Sequence, residues 1–337
     1  MDNNVKKLDL KSVVRVLTEY VMLNSTVTDS TSLFYGRSGI SLCLFHVARF
    51  LDDEFIEGHA YKLLKQSLLN TKNDIRFDTG LSGIGYSLHY AIRNKFIDAD
   101  FFDVFRAQHE IIVHKFLIYD FCKMDPIQIL LQWQIMIYFY YIHEERVQSK
   151  IRVLNEGVIS FFTMMWETIY NSSASINKEV VMGLWRDYLK VLSIIGLTGE
   201  YNHIIEYIHL LQKGFLKKDV YTLYYLSVVC KGSSIELHKE MQTVMREDYL
   251  RLYSIVDNKG VNKMYKHPYI SDDKIQNNIL NAFLGKTVYD IENYLNHMID
   301  LSPLSASLAV GISRNILGLL YLYNINNAEI SEILSIL

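Results

Sequence analysis

Two segments of the chain repeat one pattern: Phe34-Tyr35-Gly36-Arg37-Ser38-Gly39-Ile40-Ser41-Leu42 and Asp78-Thr79-Gly80-Leu81-Ser82-Gly83-Ile84-Gly85-Tyr86. Each reads Gly-x-x-Gly-Ile and runs on into apolar sequence. Gly36 and Gly80 stand 44 positions apart, a period that suits helix pairs stacked as a solenoid or closed ring. Glycine at such a point ends a loop, opens a helix and lets a neighbouring backbone come close.

Weaker copies follow. Asp125-Pro126-Ile127-Gln128-Ile129-Leu130-Leu131 lacks the glycine, while Val181-Met182-Gly183-Leu184-Trp185-Arg186-Asp187, Val229-Cys230-Lys231-Gly232 and Ala282-Phe283-Leu284-Gly285 keep one. Ala309-Val310-Gly311-Ile312-Ser313-Arg314 is a clear last copy. With Ile129 standing for the missing glycine, the intervals run from 44 to 54 residues until a final one of 26. The spacing predicts helices headed by these segments, alternating with outer partners. Val13–Val21 has amphipathic spacing, as do Glu57–Leu69 and Asp100–Ile118, whereas Ile40–Leu51 and Gly83–Asn94 read as inner helices. Only three prolines interrupt 337 residues, which predicts a mostly helical chain. The loop-like stretches 171–175 and 256–273 read as loops of one domain spanning residues 1–337.

Composition narrows the classes of function. Half the residues are hydrophobic and the net charge is -3, which excludes a disordered chain and gives no basic run for nucleic acid. Clustered rings such as Tyr138-Phe139-Tyr140-Tyr141 read as fillers between helices. The apolar run from Ile127 to Ile142 is too short and too rich in glutamine to span a membrane, and Met1–Leu10 has no signal-type apolar core. Three cysteines, Cys43, Cys122 and Cys230, make no disulfide framework and point to a reducing, cytoplasmic setting.

Other motifs carry less. His109 and His114 are five apart, about 140° around a helix, so they do not form the metalloprotease His-Glu-x-x-His pair. His203 and Glu206 share a helical face, as do Glu206 and His209, read as a solvated outer face, with a metal pair as the sharper alternative. No phosphate loop, dinucleotide fingerprint or nucleophile elbow occurs.

The recurring Gly-x-x-Gly-Ile segments resemble those of the lanthionine synthetase C-like (LanC-like) family, most sharply at Gly36–Ile40, Gly80–Gly85 and Gly311-Ile312. The resemblance implies an all-α fold, an α/α toroid of about seven inner and seven outer helices. It also implies a zinc-dependent cyclase that adds a peptide cysteine thiol across a dehydroalanine or dehydrobutyrine. Zinc would lower the thiol pKa, held by two cysteines and a histidine in Trp-Cys-x-Gly and Cys-His-Gly motifs.

This sequence departs from that pattern. Val229-Cys230-Lys231-Gly232 is similar to the first motif, placing Cys230 where the first ligand stands, but Cys-His-Gly is absent. Gly183–Asp187 matches the segment that bears the catalytic histidine, with Arg186 in its place, and Asp125 keeps the family's aspartate. The expectation is therefore no metal or other cofactor and no zinc cyclase activity. A pseudoenzyme follows, one that binds a substrate or precursor peptide in modified-peptide (lantibiotic-type) biosynthesis or scaffolds a partner modification enzyme. Catalytic positions by match are Asp125, Arg186 and Cys230; cavity-lining candidates are Asp78, Asp187, Lys231 and Arg314.

Two enzyme alternatives stand beside this reading. One is a thioether-forming cyclase rearranged around Cys230 with His238 or His267. The other is a toroidal glycosidase or lyase that uses Asp78, Asp125 and Asp187. Each residue also has a plain structural role open to it. Cys230 reads as a buried thiol, Asp125 as a helix cap before Pro126, Arg186 and Asp187 as ion-pair members, and Asp78 as a turn residue. Arg314 is the one charge on an otherwise apolar helix and reads as facing a cavity.

Overall fold

A computed structural model describes residues 9–69, 73–121, 126–171, 178–196, 202–216, 220–230, 306–308, 312–322 and 327–336. Among the described residues every regular element is a helix and none is a strand. The chain divides into two compact units, Met1–Ile111 with Val261–Leu337 and Ile112–Gly260.

The first unit contains α1 (Leu10–Ser25), α2 (Arg37–Leu51), α3 (Glu54–Leu68) and α4 (Leu81–Arg93), with α12 (Ile312–Leu322) and α13 (Asn327–Ile336). The boundary between the units falls within α5 (Phe101–Ile118). Two kinds of helix alternate here. α1 and α3 bury one stripe each, Val13, Val14, Leu17 and Val21 on the first and Ile56, Ala60, Leu63 and Leu64 on the second. α2 and α4 are buried nearly all round. The one-faced helices start on aspartate caps: Asp9 accepts from the Ser12 amide, and Asp53 from those of Phe55 and Ile56. α2 packs against α1, α3, α4 and α12, so the helix of the last described copy lies beside that of the first.

The buried helices start differently, on glycines with extended backbone and no side-chain cap. Loop carbonyls take that role. The Arg37 amide donates to Ser30 O at 2.9 Å and the Leu81 amide donates to Asp74 O at 2.8 Å, each pair seven residues apart. The second glycine is the steric key. A Cβ on Gly39 would overlap the Leu33 carbonyl oxygen and sit 2.9 Å from Leu308 Cβ. A Cβ on Gly83 would overlap the Phe77 carbonyl oxygen and sit 2.9 Å from Leu33 Cβ. Each copy's loop leucine therefore rests on the next copy's glycine, from Leu308 to Gly39 and from Leu33 to Gly83.

The third copy keeps the geometry. Ser313 Oγ donates to Ala306 O at 2.6 Å, as Ser82 Oγ donates to Ile75 O at 2.6 Å, both seven residues back. This register puts Arg314, rather than a glycine, where Gly39 and Gly83 stand.

The second unit contains α6 (Pro126–Trp133), α7 (Ile135–Ile142), a short 3-10 turn at Glu145–Val147, α8 (Gln148–Asn171), α9 (Lys178–Ile194), α10 (Asn202–Gln212) and α11 (Val220–Val229). α9 packs on α6, α7 and α11, and α8 on α6 and α10. Its core is aromatic. Trp185 meets Phe162 at 4.7 Å, Trp166 at 5.0 Å and Tyr207 at 5.0 Å between ring centroids, and Trp133 lies against Tyr188 at 5.3 Å. Rings as fillers between helices hold at Tyr138 and Phe139, while Tyr140 is exposed.

Of the expected helix starts in this unit, Pro126 opens α6, but those at Gly183 and Val229 fail. Gly183 lies inside α9 with open space around its Cα, so nothing there requires glycine. Val229 closes α11 instead of opening a helix, and the Cys230 amide donates to Leu226 O at 2.9 Å. The Ala282–Gly285 copy, Asp125, Lys231, His238 and His267 lie outside the described residues.

The two kinds of glycine separate in a mutational test. Gly39→Ala or Gly83→Ala forces backbone apart and is expected to cost about 3 kcal/mol in urea unfolding. Gly183→Ala, in an open helical position, is expected to be neutral or to stabilise by up to about 1 kcal/mol. Equal effects at the three positions would refute the close approach.

Candidate functional site

The matching residues sit in different units. Asp78 and Arg314 belong to the first, Arg186, Asp187 and Cys230 to the second. Asp78 works as a bracket between copies: its carbonyl accepts from the Phe34 amide at 3.1 Å and its side chain from Thr79 Oγ1 at 3.3 Å. Beside it, Asp74 holds Arg76 through Oδ2 at 2.9 Å and also accepts from Thr79 Oγ1. Burial pushes the Asp74 carboxyl up, but the hydrogen bonds from Arg76 and Thr79 outweigh it and hold the group below the usual range. Arg314 is buried in the first turn of α12.

The start of α2 is the least satisfied of the three. Arg37 Nε and Ser38 Oγ are enclosed and make no hydrogen bond, although Ser82 and Ser313 in the matching position do. The first turn of α2 thus offers a cation and a hydroxyl together, its amides being taken by the loop carbonyls of Ser30 and Ser32.

In the second unit Arg186 and Asp187 are half-buried in mid-helix, and Cys230 is 1% exposed after the end of α11. Among the described residues no group of three or more histidine, cysteine or acidic side chains is placed to hold a metal ion. Cys43 is equally enclosed: burial pushes its thiol up to about 12, and it donates to Ser313 O at 3.3 Å. Such a thiol is not a nucleophile at neutral pH.

Two histidine sites escaped the sequence reading. His203 is not on a solvated face; it is buried, with Nε2 2.9 Å from Tyr188 Oη. His209, one face-turn on, is exposed as read. His46 on α2 meets Tyr90 on α4, its partner 44 residues on, at 2.8 Å. Tyr90 donates its single proton to Glu329 O at 2.8 Å, so its oxygen accepts from His46 Nε2–H. His46 Nδ1 then faces no donor or acceptor, and protonating it would bury an unpaired charge. The 44-residue period could have paired these two side chains.

The polar chain reaches α13. Arg49 pairs with Glu329 at 3.1 Å, Tyr86 Oη donates to Glu332 at 2.8 Å, and Arg93 also pairs with Glu332. Arg49 and Arg93 occupy matching positions of the two copies.

No family model matches the chain, and no curated protein or solved structure shows significant similarity to it.

Burial depresses His46 to about 3 and His203 to about 4, against about 6.5 for an unfolded histidine. Between these values the unfolded chain binds protons that the folded chain refuses. This contribution is complete above about pH 6.5 and is lost as pH falls. From pH 7 to pH 5 each histidine is expected to remove about 2 kcal/mol of stability. Urea midpoints at the two pH values check this; no drop on acidification would refute the buried neutral state.

Proposed function

We propose that the chain is a LanC-like helical-repeat protein, a toroid of inner and outer helices, that binds a peptide and does not carry out zinc-dependent thioether formation. The repeat starts in the first unit support the architecture, with loop leucines handed from one copy to the next and the last described copy beside the first. The observation that carries the function is the first turn of α2, where Arg37 Nε and Ser38 Oγ are enclosed and unpartnered. A carboxylate answers both features, so the peptide is one with acidic side chains or a free C-terminus. Arg314 at the start of neighbouring α12 adds a second cation to that end of the helices.

The cyclase reading gains nothing from Cys230, which is enclosed beyond the end of α11.

Two measurements test the proposal. A glutamate-rich synthetic peptide is expected to bind the purified chain in a salt-sensitive way, about tenfold more weakly with Arg37→Gln. Metal analysis after purification without chelator is expected to find far less than one zinc per chain. About one zinc per chain, lost on Cys230→Ala, would overturn the reading; so would an acidic peptide that does not bind the folded protein.

A further inference from the structure

The second unit holds a cleft between α8 and α10 with a volume of about 240 Å³. It rests on none of the residues that carry the reading above. Trp166 and Tyr170 from α8 supply aromatic walls, and Glu167 and Glu206 supply two carboxylates, with His209 and Lys213 at the same cleft. Two of these residues have polar atoms that nothing in the described structure satisfies. Glu206 Oε2 is enclosed without a donor. Trp166, 1% exposed, has its indole N–H enclosed without an acceptor. Orphaned atoms of this kind are rare in folded proteins and call for a partner. Here an orphan acceptor and an orphan donor line one cavity.

The remaining features say which partner. A carboxylate with one oxygen shut off from water is best answered by a charged donor. Aromatic faces attract the same kind of group, because the ring quadrupole presents negative charge to a cation. The protein already shows this at Tyr170, where the Lys213 ammonium stands 4.9 Å from the ring centroid. The indole N–H asks for an acceptor close to that cation. A lysine residue within a peptide brings both groups, an ammonium and a backbone carbonyl. The volume suits one amino-acid side chain and is smaller than the sites that hold drug-sized ligands.

We infer that the α8–α10 cleft is a binding pocket for an organic ammonium of the lysine type, seated on Trp166 and Tyr170 and paired with Glu206. Lys213 acts as an internal competitor for the same aromatic face.

The test uses the full chain, Nα-acetyl-lysine methylamide as probe, and tryptophan fluorescence at low salt near pH 8, where free imidazoles are neutral. Saturable binding is expected, about tenfold weaker with Glu206→Gln and about threefold tighter with Lys213→Met, which frees the ring. Three outcomes overturn the inference: no saturable signal from the folded wild type, binding indifferent to Glu206→Gln, or glucose bound as well as the ammonium. Should circular dichroism show that Glu206→Gln does not fold, exposed Lys213→Met decides alone, and unchanged or weaker binding sinks the idea. Arg37→Gln leaves this signal intact, so the failure of either proposal is separable from that of the other.

Discussion

The first unit depends on one contact, the carbonyl of Leu33 or Phe77 pressed against the Cα of a glycine six residues on. No side chain fits there. Once the loop lies that close, its other carbonyls reach the first helical amides, and the buried helices need no aspartate cap. This substitution makes physical sense. A capping carboxylate costs little at the exposed starts of α1 and α3, but at the buried starts of α2 and α4 it would have to be stripped of water. Backbone carbonyls cap without adding a charge. The same closeness fixes the relation between copies, because the leucine of one loop fills the space left by the next copy's missing side chain.

That relation propagates along the helices. With α2 and α4 held in a register of 44, His46 meets Tyr90, and Arg49 and Arg93 come out at matching ends to hold the two carboxylates of α13. The exposed ion pairs add little by themselves. The buried chain from His46 through Tyr90 to the Glu329 carbonyl weighs more, since each member would be costly to leave unpaired. The copies are not identical, however. Ser38 lacks the bond that Ser82 and Ser313 make, and Arg314 has replaced the second glycine. Both departures fall at helix starts.

What could be read from the sequence follows from the same physics. The glycines of the first two copies were legible because sterics demand them, and the predicted spans fall within two or three residues of α2, α3 and α4. The Gly-Ile motif also pointed to the copy at Gly311-Ile312, although its register makes Arg314 the counterpart of Gly83. Gly183 matched the spacing but not the reason: it sits in mid-helix with room for a side chain. Cys230 matched a motif but lies past the end of a helix. A motif without its steric cause is weak evidence of position. The cleft at Trp166 and Glu206 was hidden for another reason. Its two walls come from helices some 40 residues apart in sequence, and no local pattern links them.

The two units differ in how their helices meet. In the first, glycine lets backbones approach at the starts of α2 and α4, and leucine and serine fill the space there. In the second, indole and phenol rings hold helices apart, and rigid rings cannot fill every gap they create. Their edges carry N–H and O–H groups that need partners, while their shapes leave room beside them. Trp133 finds a partner in Tyr188 O at 3.4 Å, and His203 finds one in Tyr188 Oη. Trp166 and Trp185 find none, and of the two Trp166 lines a cleft. Wide packing by rings leaves both the space and the unpaired groups from which recognition is built.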